Sequence, residues 1–305
     1  MARSGPRRRS PFFLALLAVA TCVPPGQLPV EYNLAAGVLV GLSNPQASPP
    51  GANDFSCRPS TEHPRPVVLV HGTLANAPDS WNALAPLLKN NGYCVFALNY
   101  GGPPILNVSY GLADIAASAA ELAIYVDTVL AATGAAKVDL VGHSQGGLMP
   151  RYYLRYLGGA AKVQKLVGLA PSNYGTTGFN IVDLWVALFP ELSHAIVDPF
   201  CVSCLQQVAG SELLAAVNQP SDTVPGVEYT VIATVYDEFV TPHTNAFLHG
   251  PGVTNILLQE RCPIDFTAHL AMPYDHIALG HVRNALDPAH PIDPGCTFIP
   301  VGNGG

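Results

Sequence analysis

Charged residues are scarce in this 305-residue sequence: they make up 11% of the chain, with 14 Lys and Arg against 21 Asp and Glu. Basic residues cluster only near the N-terminus, so the sequence lacks the basic patch that is typical of nucleic-acid binding. Internal repeats are also missing, and no domain linker is evident beyond residue 64. Glycine and proline are frequent but scattered, which favours a loop-rich globular protein over a low-complexity chain.

The N-terminus combines a basic stretch, MARSGPRRRS, with a short apolar stretch, PFFLALLAVATCV. The apolar stretch is too short to cross a bilayer, and residues 18–20 offer a small-residue cleavage site. This pattern predicts a signal peptide over residues 1–25 and a secreted, extracellular protein without a transmembrane segment. A membrane anchor is the alternative, while a lipoprotein is disfavoured because Thr21 precedes Cys22.

Export makes the remaining cysteines candidates for disulfides, and their even number fits three bridges. They are Cys57, Cys94, Cys201, Cys204, Cys262 and Cys296. A zinc site is the competing interpretation. It is disfavoured because the pair Cys201-x-x-Cys204 has no second Cys or His pair at ligand spacing. We therefore expect no metal site.

From Arg65 onward, β-branched runs alternate with segments of helical spacing. The runs PVVLVHG, CVFALNY, KVDLVG, VQKLVGLA, EYTVIATVY and TNILLQE predict strands, and DSWNALAPLLKNNGY, DIAASAAELAIYVDTVLAATG and SQGGLMPRYYLRYLGG predict helices. Repeated strand–helix–strand units indicate an α/β fold with a mostly parallel central sheet flanked by helices.

This alternation suggests how the chain is divided. We predict an extended N-terminal segment over residues 26–64, with a short helix in YNLAAGVLVGL, and one α/β domain over residues 65–305. The alternation lapses between about 171 and 220, where the apolar stretch FNIVDLWVALF lies among prolines. We expect this part to form a small cap inserted above the sheet.

The pentapeptide Gly142-His143-Ser144-Gln145-Gly146 stands where a predicted strand meets a predicted helix. It matches the G-x-S-x-G pattern, in which a serine is presented on a tight strand-to-helix turn. The two glycines suit such a turn because side chains there would clash with the neighbouring strand and helix. The N–H groups of the following helix favour developing negative charge. An ordinary turn with an incidental serine is the alternative, but the context favours Ser144 as a nucleophile.

A serine hydroxyl needs a base and an acid that orients the base, and both should follow it at later strand ends. The candidate acids are Asp237, which directly follows a predicted strand, the adjacent Glu238, and Asp222 and Asp198 in less strand-like surroundings. The candidate bases are His269, His276 and His281, which spacing alone does not separate. The last two lie in a predicted final helix, and His143 within the turn is interpreted as structural.

Two N–H donors are expected to stabilise an oxyanion beside Ser144. One belongs to Gln145, the residue after the nucleophile. The other should come from the loop in VLVHGTLAN, where Gly72 allows a sharp turn and Thr73 presents its N–H. The Thr73 hydroxyl is a candidate third donor.

The stretches RPVVLVHGTLANAPDSWNALAPLLKNNGYCVFALNYG, VGHSQGGLMPRYYLRYLGG and DFTAHLAMPYDHIALGHVRNALDP resemble the secreted actinobacterial lipases of the α/β-hydrolase fold. The likeness covers nearly all of residues 50–297 and extends more distantly to the fungal lipase B. It implies hydrolysis of carboxylic esters, in particular triacylglycerols, without a metal or other cofactor.

The same resemblance assigns roles to individual residues. It implies Ser144 as nucleophile, Asp237 as acid and His269 as catalytic histidine, with Thr73 and Gln145 at the oxyanion positions. It also implies the disulfide pairs Cys57–Cys94, Cys201–Cys204 and Cys262–Cys296. The last pair would hold the loop that carries His269.

An acyl chain needs an apolar trough beside the serine. We expect it to be lined by Leu74, Ile181, Leu184, Trp185, Leu188 and Val240. The stretch FNIVDLWVALFPEL is interpreted as a lipid-facing lid, with an ordinary core helix as the alternative. The expected partner is a lipid or ester substrate, including one presented at a lipid–water interface. The protein is expected to be a monomer.

Three other functions compete with lipid-ester hydrolysis. One is a carboxylesterase or a polyester hydrolase of the cutinase type, and the latter would use an open, aromatic-lined cleft. An acyltransferase on the same fold would pass the acyl group to a sugar or alcohol instead of water. A non-catalytic binding protein of this fold is disfavoured because candidates for all three members of the triad are present.

Overall fold

The computed structural model describes residues 25–102, 108–176 and 200–304. Its centre is a six-stranded sheet in which each neighbouring pair of strands is parallel. The strands are β1 (Val67–Val70), β2 (Val95–Leu98), β3 (Val138–His143), β4 (Val163–Leu169), β5 (Glu228–Ala233) and β6 (Val253–Leu257). The apolar runs of β1, β2 and β3 are buried throughout, as expected for strands covered on both faces. The predicted α/β fold class is confirmed.

The order of the strands creates a crevice at one end of the sheet. That order is β2-β1-β3-β4-β5-β6, so the chain leaves β1 towards one edge and returns on its other side as β3. In such sheets, ligands bind outside the carboxyl ends of the two strands where the order reverses. Gly72 lies after β1 and Ser144 directly follows β3, while Asp237 and His269 come after β5 and β6.

Helices cover both faces of the sheet. They are α1 (Leu34–Ser43), α2 (Ala77–Trp81), α3 (Leu84–Asn90), α4 (Ile115–Thr133), α5 (Gln145–Tyr156), α6 (Val202–Gln206), α7 (Glu212–Asn218), α8 (Leu258–Arg261) and α9 (His276–Leu286). Short 3-10 turns occur at Gly159–Ala161, His243–Ala246 and His269–Ala271. Apolar residues of α4, α5 and α7 form the core on one face, and those of α2, α3 and α9 form the core on the other.

One predicted helix is divided in the structure. The run DSWNALAPLLKNNGY forms α2 and α3, with a break at Asn82 and Ala83. Pro86 explains the break, because in a continuous helix its ring would clash with the carbonyl of Asn82 and it has no N–H to donate to it. The expectation of a single helix was therefore wrong, although Trp81, Leu84 and Leu88 are buried on one side.

The N-terminal segment packs along the sheet edge and contains α1. Asn53 pairs with the edge strand β2: its N–H donates to Val95 O at 2.9 Å, and its side-chain amide exchanges hydrogen bonds with Ala97. The disulfide Cys57–Cys94 joins the segment to the start of β2. The contacts cover the open edge of β2, which would otherwise expose unpaired backbone groups.

Within the described residues, α4 is the one helix long and apolar enough to cross a membrane by length and composition. Its side chains Ile115, Leu122, Val126 and Val129 are fully buried in the core on one face of the sheet. Asp114 caps its N-terminus, and Gly134 ends it in the left-handed conformation. The helix is therefore packed as a core helix of the α/β fold.

Two buried histidines lie beneath the crevice. The ring of His71 donates through Nδ1 to Gly72 O at 2.8 Å and stacks on Tyr100. His143 Nε2 donates to the backbone carbonyl of His269 at 3.0 Å. Burial lowers the pKa of His71 to about 4 and lowers that of His143 well below its ordinary value. Both rings are therefore neutral in the folded protein near neutral pH.

Because His71 and His143 are buried in the neutral form, we predict that the folded protein loses stability in acid. The unfolded chain takes up protons on both rings below pH 6.5, whereas the folded chain leaves His71 neutral down to about pH 4. Stability is therefore full above pH 6.5 and falls towards pH 4, by on the order of 1 to 3 kcal/mol for His71. His71→Asn, whose amide can still donate to Gly72 O, should show a smaller loss in urea unfolding measured across this range.

His249→Asn, at an exposed position, serves as the matched control because it also removes one imidazole. It should retain the pH dependence of the parent. An equal pH slope for the parent and His71→Asn would contradict the explanation.

Candidate active site

Ser144 occupies a strained turn between β3 and α5. Its backbone has φ 54° and ψ −122°, a region that residues with side chains rarely adopt. The flanking glycines make the turn possible: a Cβ at Gly142 would lie 1.8 Å from Gly146 O, and a Cβ at Gly146 would lie 2.0 Å from Val70 O. The Ser144 N–H donates to Leu169 O at the end of β4 at 2.9 Å. The backbone thus projects this side chain above the sheet.

Asp237 and His269 meet at the same end of the sheet. The His269 ring donates through Nδ1 to Asp237 Oδ2 at 2.9 Å, and both side chains are almost fully buried. Asp237 Oδ1 accepts the N–H groups of Phe239 and Val240 at 2.9 and 2.7 Å. These bonds orient the carboxylate and assign the proton to Nδ1, which leaves His269 Nε2 as the basic nitrogen.

The alternative acids take other positions. Glu238 Oε2 accepts the backbone N–H of His269 at 3.0 Å, so it contacts this residue without contacting its ring. Asp222 instead accepts the Tyr174 hydroxyl and the backbone N–H of His249. Asp198 lies outside the described residues.

Both alternative bases, His276 and His281, lie on α9. His276 Nε2 contacts the Thr297 hydroxyl at 3.0 Å, and its ring packs edge-on against Tyr32. His281 lies farther along α9, where burial lowers its pKa. His143 is held beneath the site by its bond to the carbonyl of His269, with the two rings 4.8 Å apart.

The loop after β1 passes close to Ser144. A Cβ at Gly72 would lie 3.2 Å from the Cβ of Ser144, so the following residue, Thr73, is brought beside the serine. The N–H groups of Thr73 and Gln145 donate to no other group among the residues that the structure describes. Leu74 N–H donates to Tyr110 O, which holds this loop in place.

Two side chains that the sequence analysis did not identify support this loop. Gln207 Nε2 donates to Thr73 Oγ1 at 2.8 Å, and its Oε1 accepts the Ser172 hydroxyl. Because Thr73 Oγ1 accepts this bond, its own hydroxyl proton is free to point towards a ligand. On the other side, the Tyr100 hydroxyl contacts Gln145 Oε1 at 2.8 Å. The sequence marks Gln207 and Tyr100 only as residues that can form hydrogen bonds. Many other residues share this property, so it does not identify these two.

A cavity of about 670 Å³ opens at the crevice, and Ser144 and His269 both border it. Of the predicted substrate-binding residues, Leu74 and Val240 line it, the first at its exposed mouth. Ile181, Leu184, Trp185 and Leu188 lie outside the described residues, so the predicted lid stays a prediction. Helix α1 also forms part of the cavity wall, through residues that include Val38. The sequence analysis missed this wall because α1 is far from Ser144 in sequence, and no local pattern indicates that the two lie close together.

The described residues contain three disulfides, with the pairings Cys57–Cys94, Cys201–Cys204 and Cys262–Cys296. The last of these closes the loop that carries His269. Among the residues described, no group of three or more His, Cys, Asp or Glu side chains is placed to hold a metal ion.

Two curated triacylglycerol lipases are similar in sequence to parts of this chain. A triacylglycerol lipase of Burkholderia plantarii is 36% identical over 129 residues, which are 40% of this chain and 34% of the relative. A triacylglycerol lipase of Pseudarthrobacter phenanthrenivorans is 41% identical over 92 residues, 28% of this chain and 27% of the relative. The chain therefore spans about a third or less of the length of these curated relatives.

The crystal structure of Aspergillus fumigatus lipase B is similar in fold, with a TM-score of 0.58 and 20% sequence identity. The superposition covers 95% of this chain and 64% of that one. The model of the family described as Lipase (class 2) matches residues 64–273, more than two thirds of the sequence. The match includes Ser144, Asp237 and His269. The chain therefore belongs to the class 2 lipase family.

Proposed function

We propose that this protein is a secreted serine hydrolase that cleaves carboxylic esters of lipids, in particular triacylglycerols. The observation that carries the proposal is the bond from His269 Nδ1 to Asp237, at the edge of the cavity that the strained Ser144 also borders. The family match and the names of the curated relatives support the same chemistry.

In the first half of the reaction, Ser144 Oγ attacks the ester carbonyl. His269 Nε2 takes the hydroxyl proton, and the buried Asp237 carboxylate stabilises the imidazolium that results. The tetrahedral intermediate collapses as His269 returns the proton to the leaving alcohol. The acyl group remains on Ser144 as an ester.

In the second half, water replaces the alcohol. His269 Nε2 takes a proton from the water as its oxygen attacks the acyl-enzyme carbonyl, and then returns that proton to Ser144 Oγ. The carboxylic acid leaves. A neutral, correctly oriented imidazole is needed twice in each cycle, which accounts for the several bonds that position His269.

The oxyanion of both tetrahedral intermediates would be bound by the N–H groups of Thr73 and Gln145. These donors are fixed before substrate arrives, so they need no reorganisation when charge develops. The Thr73 hydroxyl is a third donor, since Gln207 already supplies the hydrogen bond that Oγ1 accepts. Each such donor is worth on the order of a hundredfold in turnover.

The cavity supports an apolar acyl chain as substrate. Most of its lining is apolar and includes Leu74, Val240, Phe239, Leu270 and Pro273, with a smaller polar part to which Asn76 and Asp79 also contribute. Pockets of this size that combine apolar walls with a few convergent polar groups are typical of small-molecule sites. Polar atoms thus hold the ester group, and apolar walls hold the chain.

Two observations support secretion. The N-terminal sequence has the basic and apolar stretches of a signal peptide, although residues 1–24 lie outside the described part of the chain. The three disulfides are typical of proteins that fold in an oxidising compartment.

The proposal predicts that Ser144→Ala abolishes ester hydrolysis. Without the nucleophile, kcat for p-nitrophenyl butyrate should fall at least about a thousandfold. Ser109→Ala, which alters another serine at the edge of the same cavity, is the matched control and should keep most of the activity. Activity of Ser144→Ala near the parent level would refute the assignment.

A second prediction separates the two adjacent acids. Asp237→Asn should lower kcat on the order of a thousandfold or more, because an amide no longer stabilises the imidazolium or the required tautomer. Glu238→Gln should cost less than about tenfold, since the amide oxygen can still accept the His269 N–H. Steady-state hydrolysis measures both variants, and a larger loss for Glu238→Gln than for Asp237→Asn would contradict the proposed acid.

A further inference from the structure

Helix α1, in the N-terminal segment, is unusually apolar for a helix at the protein surface. Its sequence, LAAGVLVGLS, contains no charged residue, and Asn33 caps its N-terminus by accepting Ala36 N–H. Several of its large side chains are nevertheless exposed, among them Leu39 at 66% and Val40 at 43%. An exposed apolar helix with this composition needs a specific reason to stay where it is.

Two glycines hold α1 against the site. A Cβ at Gly37 would lie 1.8 Å from the Tyr274 hydroxyl oxygen, and a Cβ at Gly41 would lie 2.4 Å from Asp79 Cβ. Neither position therefore accepts a larger residue unless the helix or the side chain packed against it moves. Asn76 Nδ2 also approaches Gly41 O at 3.4 Å, and Asn76 belongs to the loop that carries Thr73. The position of α1 is thus tied directly to the oxyanion loop.

A different row of α1 faces the cavity. Leu34, Val38 and Leu42 are spaced by four residues and so lie on one side of the helix, and all three border the cavity that holds Ser144. Phe239 and Leu270 border the same cavity near His269. The side of α1 with Gly37 and Gly41 packs against the rest of the protein. The side with Leu34, Val38 and Leu42 extends the apolar surface of the cavity that holds Ser144.

We propose that α1 is a wall of the acyl-chain subsite and that Val38, in the middle of this row, determines how long an acyl chain the cavity accepts. The inference rests on the proposed ester hydrolase function and deepens it by naming the substrate class: esters of unbranched chains of medium or greater length. A short acyl group ends near Ser144, whereas a longer chain extends along α1. Each methylene buried there contributes roughly fourfold to binding.

Val38→Trp tests the proposal, because an indole in the middle of the row fills the path of the chain. The measurement is kcat/KM for p-nitrophenyl acetate and p-nitrophenyl octanoate, both below their solubility limits. We expect the octanoate-to-acetate ratio to fall at least about tenfold in Val38→Trp. Val38→Ala removes contact area without blocking the path. It should therefore lower the octanoate-to-acetate ratio by only a few-fold.

Val40→Trp is the matched control, since it makes the same substitution on the same helix at a residue that does not border the cavity. Its ratio should stay within about twofold of the parent. A ratio unchanged in both Val38 variants, or lowered equally by Val40→Trp, would overturn the proposal for α1.

The same assays separate this proposal from the proposed function. If the parent hydrolyses neither ester and a fluorophosphonate probe does not label Ser144, ester hydrolysis itself is wrong. If the parent hydrolyses both esters and the Val38 variants keep its chain-length ratio, only the role of α1 is wrong. Far-ultraviolet circular dichroism of each variant reports whether it has folded.

Discussion

The strained turn at Ser144 is the constraint on which the rest of the site depends. A residue with φ 54° and ψ −122° is held there only because the surrounding backbone packs without space for side chains at Gly142 and Gly146. The carbonyl of Val70 in β1 lies where a Cβ at Gly146 would be. The turn therefore forms only when β1, β3 and α5 are correctly packed, and the position of the serine is a consequence of the whole sheet.

Groups from distant parts of the chain converge on this serine because parallel strands end at one edge. The residues after β1, β3, β5 and β6 supply Thr73, Ser144, Asp237 and His269. Loops are the least constrained part of such a fold, and the His269 loop is held by several bonds: to Asp237, to Glu238, to His143 and through the Cys262–Cys296 disulfide. These contacts limit how far the imidazole moves, as the proposed general-base role of His269 requires.

Local features of the site could be predicted from the sequence, and non-local ones could not. The tight turn was predictable since its glycines stand two residues either side of Ser144. Spacing alone left Asp237 and Glu238 open because both follow the same strand, and only their side-chain directions distinguish them. The break between α2 and α3 was overlooked because apolar periodicity hid the effect of Pro86. The contact of α1 with the cavity joins residues far apart in sequence, so periodicity carries no sign of it.

A crystal structure of the protein inhibited by a p-nitrophenyl alkylphosphonate would show whether these groups act together on one carbonyl, because the adduct resembles the tetrahedral intermediate. We expect a covalent bond from phosphorus to Ser144 Oγ. We also expect a phosphonyl oxygen within about 3 Å of the Thr73 and Gln145 nitrogens, with His269 Nε2 close to the serine oxygen. Phosphorus bound to another residue, or a phosphonyl oxygen directed away from both amides, would contradict the proposed mechanism.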